Sequence, residues 1–157
     1  MDRSLVEKYI ADATLPAEAI RGLSTQELNA FPVPGTWSLQ QVILHLMDSD
    51  LIGADRMKRV IAEESPTLLA YDETAFSKGL FYETLDPVQA CEIFRLNRLL
   101  TGAILRKVPD AAFARAGTHT ERGRETLEDL VKGYVEHLVH HMKFVKEKRK
   151  ALGKPLN

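Results

Sequence analysis

The chain has 157 residues, of which 45% are apolar and 27% charged, and its formal net charge is −1. That length suits one domain, residues 1–157, with a sizeable core. The near-neutral charge excludes the broad basic footprint of a nucleic-acid binder.

The opening, MDRSLVEKYI, lacks a long apolar run, so no signal peptide or membrane span is expected and the protein reads as cytoplasmic. Leu5, Tyr9 and Ile10 lie at helical spacing and predict a helix over residues 2–13, interrupted at Pro16 and followed by a turn to Leu23. Ser24 with Glu27 forms a capping-box pattern, and FPVPG at 31–35 is a connector.

Ser38 with Gln41 caps a second main helix, expected over 38–64 and ending before Pro66. Leu39, Val42, Leu46, Met57 and Val60 form its apolar face, with His45 at the edge and Gly53 as a bend. Residues 65–86 are irregular and rich in aromatics. They read as a long connection with a short helix near 72–78, of the kind that covers a bundle end or a pocket.

Asp86-Pro87 starts a third helix that runs to about residue 107. Ala90, Ile93, Phe94, Leu100 and Ile104 mark its expected buried stripe, and Asn97 falls within it and needs a partner. Cys91 is the single cysteine, so no internal disulfide can form, and a buried structural thiol is expected. After a connector at 109–125, Thr126 caps a fourth helix over 126–145, and the basic run at 146–150 reads as its solvated end. No strand is expected, because period-two alternation is absent. The fold class is all-α, a four-helix bundle.

His137 and His141 on the fourth helix are four residues apart, which puts two imidazoles on one face. Both lie toward the core, where a neutral imidazole needs a partner, and metal coordination supplies one. The blander alternative is two core-edge histidines bonded to backbone or carboxylates. A third ligand must come from elsewhere, and His45 is the only histidine on another helix. It stands seven residues after its cap and His137 eleven after its own; on parallel helices that leaves an offset of roughly 6 Å. His140 points to the rim. His119 reads as a loop residue, exposed or folded over the bundle mouth. Asp48, one turn after His45, is the candidate catalytic acid or base. Trp37, Asn97 and Tyr71 are candidates for the pocket wall.

Trp37, Ser38, His45 and Leu46, then His119, Gly123, Thr126, Leu127, Asp129 and Leu130, then Tyr134, His137, His140 and His141 form an ordered pattern. It resembles the DinB-like (DinB/YfiT) superfamily. The resemblance implies a variant up-and-down four-helix bundle and a divalent metal, usually zinc or nickel, held by His45, His137 and His141. It also implies a frequent homodimer and, in some members, transfer of a low-molecular-weight thiol. The function expected is a metal-dependent enzyme of thiol transfer or hydrolysis on a small molecule. The alternative is a non-catalytic metal- or ligand-binding stress protein.

Overall fold

The structure, a computed structural model, describes residues 2–156. The first arm of the bundle is made of α1 (Ser4–Ala11), a 3-10 turn (Asp12–Thr14) and α2 (Leu15–Ile20). Pro16 does not end it. It sits in the first turn of α2, where a missing N–H costs nothing. A short α3 (Thr25–Asn29) follows, closed by the Ser24–Glu27 capping box.

The second arm, α4 (Leu39–Ala62), opens on the Ser38–Gln41 capping box, and the last, α7 (Leu127–Ala151), on that of Thr126 and Asp129. Between them, residues 63–86 hold β1 (Thr67–Leu68), α5 (Glu73–Gly79) and a 3-10 turn (Tyr82–Thr84), before α6 (Pro87–Lys107). Gln40 donates to the carbonyls of Tyr82 and Leu85, and Asp50 pairs with Arg98, so α4 and α6 run parallel. Two sequential parallel helices require a crossover, and this connection supplies it. Lys148 donates to Thr36 while Gly53 faces Tyr134, so α7 runs antiparallel to α4. The parallel arrangement considered for the two histidine-bearing helices is therefore corrected. His45 still meets His137 because antiparallel helices cross levels wherever their lengths overlap.

A small sheet overturns the expectation of no strands. β1 pairs in parallel with β2 (Ala116–His119), which pairs antiparallel with β3 (Gly123–Thr126). Strands of two to four residues are too short for an alternating pattern to register. Gly123, at φ 79°, closes the three-residue hairpin loop, a left-handed position that suits glycine.

Two apolar clusters fill the bundle, one around Leu39, Ile43, Phe94 and Leu138, the other around Met57, Leu105, Leu127 and Val131. A polar layer lies at the level between them. Arg98 Nε donates to Asp50 Oδ1 at 2.9 Å, with both side chains buried. The Arg98 guanidinium also covers the rings of Tyr9 and Phe94. Asn97 finds the partner it needs here, donating to Asp50 Oδ2 at 2.8 Å and to its carbonyl at 3.0 Å.

This layer corrects the expected stripe of α6. Leu100 is 62% exposed and Ile93 is also exposed, while Arg98 and Thr101 lie inside beside Ala90, Phe94 and Leu105. Gly53 is no bend; α4 runs through it, and a Cβ there would meet the Tyr134 ring at 2.3 Å. The basic end of α7 is only partly solvated. Arg149 is buried, donating to the carbonyls of Ala19 and Arg21 at the end of α2, and Lys148 is 2% exposed. Cys91 is buried among apolar neighbours, which pushes its thiol up to about 12.

Candidate metal centre

His45 comes from the second turn of α4, where the Ser38 cap fixes the start of the helix and the register of its buried face. His137 and His141 come from adjacent turns of α7. One nitrogen of each ring lies within 4.8 Å of the others. His45 Nε2 and His137 Nε2 are 3.1 Å apart, and the ring centroids of His137 and His141 are 4.5 Å apart. Two nitrogens bound to one divalent ion at about 2.1 Å stand roughly 3–3.4 Å apart, so the spacing suits shared coordination.

Burial keeps these rings neutral, the state a ligand requires. It pushes His45 down to about 4, His137 to about 3 and His141 to about 4, with the neighbouring imidazoles adding to the effect on the last two. Nδ1 of His45 and Nδ1 of His141 are buried without a protein partner. The convergence of three neutral imidazoles, with His45 Nε2 and His137 Nε2 at coordination spacing, fits a divalent metal. Among the described residues no fourth His, Cys, Asp or Glu joins the cluster.

Glu73, in the first turn of α5, places Oε2 3.7 Å from His45 Nε2, with its side chain 59% exposed. The Asp72 cap and Phe76, packed on the core, hold α5 in place. Glu73 lines two cavities. One, of 340 Å³, is walled by Ser49, Arg56, Tyr71, His119, Tyr134 and His137. The other, of 180 Å³, is walled by Trp37, Val42, His141, Phe144 and Lys148.

The remaining sequence candidates divide. Trp37 stands edge-on to His45, with ring centroids 5.3 Å apart, and Tyr71 lines the larger cavity. His119 is not a loop residue; it ends β2, is buried and lines the same cavity. Asp48 accepts a hydrogen bond from the Tyr82 hydroxyl, and Asn97 is spent on Asp50. His140 is exposed. Sequence reasoning missed Glu73, Arg56 and Lys148. Arg56 had a signal, because it shares the row Ser49, Gly53, Arg56 and Val60 on the inner face of α4.

A putative metal-dependent hydrolase of Bacillus licheniformis is 29% identical over 157 residues, covering 97% of this chain and 89% of the relative. The Bacillus subtilis protein named putative metal-dependent hydrolase YfiT is 29% identical over 137 residues, covering 87% and 77%. The solved structure of YfiT, described as a probable metal-dependent hydrolase with an unusual four-helix bundle topology, superposes with a TM-score of 0.88 over 98% of this chain and 90% of that one, at 28% identity. The DinB-like protein YjoA of Bacillus subtilis shares the fold, with a TM-score of 0.67, 15% identity and coverage of 96% and 92%. No helix among the described residues is long and apolar enough to cross a membrane. The DinB superfamily profile matches residues 13–145, most of the chain, and the protein belongs to that superfamily.

Proposed function

We propose that this protein is a metal-dependent hydrolase of a small molecule, with zinc or nickel held by His45, His137 and His141. One observation carries the reading: three neutral imidazoles, that of His45 buried and those of His137 and His141 half-buried, converge beside two cavities, with no fourth His, Cys, Asp or Glu joining them among the described residues. A divalent ion so bound supplies an acidified water or polarises a carbonyl. Glu73 supports the reading as the proton acceptor. Among the described residues it is the one carboxylate recorded within 4 Å of a triad nitrogen, and its exposure lets a proton pass from Oε2 to solvent. Asp48, held by Tyr82, acts behind the site. Trp37 screens His45 from water on one side, and Tyr71 walls the larger cavity.

Transfer of a low-molecular-weight thiol is the second reading, and Lys148 favours it. Its buried ammonium lines the cavity beside His141, and a thiolate entering there would meet a cation. A homodimer in the cytoplasm completes the proposal. Val88, Leu96 and Leu100 leave an exposed apolar row along α6, and a second copy of the chain would cover it.

Metal analysis of protein purified without a histidine tag, beside His141→Ala, tests the centre. About one equivalent of zinc or nickel in the parent and none in the variant is expected. No uptake by the parent, even with divalent ions supplied, overturns it. With the metal present, Glu73→Gln lowers kcat for ester or amide hydrolysis by about a hundredfold. Turnover that appears only when a small thiol is added selects transfer instead.

A further inference from the structure

We infer that Arg56 and His119 form an anion subsite in the cavity beside His137, which receives the carboxylate of a small monoanionic substrate. Assigning that anion to the substrate rests on the hydrolase reading; the anion site itself does not.

Arg56 is 4% exposed. A guanidinium stays charged when buried, so it needs a counter-charge or a full set of acceptors. Arg56 has neither. Nη1 donates to the Tyr134 hydroxyl at 3.0 Å and Nη2 to the Leu69 carbonyl. Both acceptors are neutral, since burial raises the Tyr134 phenol above its ordinary range. Arg56 Nε is buried with no partner at all. Among the described residues, no carboxylate lies within 4 Å of the Arg56 guanidinium.

His119, which lines the same cavity as Arg56, carries a second unmet donor. It is 2% exposed, and its Nδ1 accepts from the backbone N–H groups of Glu121 at 3.2 Å and Arg122 at 3.3 Å. An accepting Nδ1 puts the proton of the neutral ring on Nε2. That Nε2 is buried with no partner. Arg56 and His119, each with one unmet buried donor, both line a 340 Å³ cavity with a triad histidine. An oxyanion satisfies both.

The other charged groups of the cavity narrow the ligand. Glu73, Glu121 and Asp129 are exposed, and Glu125 is paired with Arg122. Buried cation and exposed carboxylates together admit a single small anion and repel a polyanion. Tyr134 joins the subsite to the centre. Its hydroxyl accepts from Arg56, and its ring centroid is 6.3 Å from that of His137, one turn away on α7.

Trifluoroacetate observed by 19F NMR, with trifluoroethanol as the neutral control, tests the subsite at fixed ionic strength. The parent protein and His141→Ala are both titrated, so that binding to a metal is separated from binding here. The expected result is saturable binding of trifluoroacetate in both proteins, none of trifluoroethanol, and affinity at least about tenfold lower in His119→Phe. In 15N-labelled parent protein the His119 Nε2 signal moves with the same saturation curve. Equal affinity in His119→Phe, meaning an adventitious ion only, overturns the subsite, as does a His119 signal that stays still. Failure here leaves the metal analysis untouched, and failure of metal uptake leaves this titration readable.

Discussion

Each imidazole of the triad is neutral because its surroundings cannot solvate a charge, and that has a consequence for pH. The folded-state values lie below the ordinary 6.5, at about 4, 3 and 4. The unfolded chain therefore binds more protons between those values and 6.5, and stability rises with pH across that window. Metal-stripped protein should lose stability as pH falls from 6.5 toward 4, by up to about 1.4 kcal/mol per pH unit for each ring. Urea midpoints at pH 7 and pH 5 check this. His137→Phe, which cannot titrate, should flatten the slope. An unchanged slope would mean that the ring is solvated or paired in the folded state. His137 and His141 were legible because helical spacing places them on one face, and His45 because it is the only histidine on another helix and the family resemblance implies it as the third ligand. Arg56, Glu73 and Lys148 were not, because charge reads as surface in a sequence, whereas two of these three are buried.

Elements show the same division between local and distant causes. The three main capping boxes could be read directly, since cap and partner are three residues apart. Ser38→Ala removes the acceptor for the Gln41 N–H and should cost about 1 kcal/mol, measured by chemical unfolding. The inner face of α6 could not be read this way. Its exposed leucines resemble a core stripe, while the buried row includes Arg98, made acceptable by Asp50 48 residues earlier and by carbonyls of two other arms. Gly53 is a similar case. Gly53→Ala drives a methyl into the Tyr134 ring and should cost about 1–3 kcal/mol. Because Tyr134 carries Arg56, the variant should also weaken trifluoroacetate binding. A destabilised variant with unchanged anion binding would separate Tyr134 from the subsite.

At the scale of the molecule, the centre ties together parts of the chain that nothing local joins. His45 and His137 are 92 residues apart, and they belong to antiparallel arms linked through a crossover and a parallel third arm. The polar layer already clamps those arms, since Arg98 reaches Asp50 on α4, the Tyr9 carbonyl on α1 and the Tyr134 carbonyl on α7. With the arms clamped by this layer, metal binding should not have to fold the bundle. Metal should therefore stabilise a protein that is already folded, by about 4 kcal/mol at a free concentration a thousand times Kd. Calorimetry of the parent should show a melting temperature that climbs with added zinc or nickel. His141→Ala should melt cooperatively with or without metal and show no climb. If stripped parent protein lacks a cooperative transition at pH 7, the polar layer is not sufficient and the metal is part of the fold itself. Asp50→Ala separates the two contributions. It leaves the Arg98 charge buried without its partner and should cost about 3–5 kcal/mol whether or not metal is present.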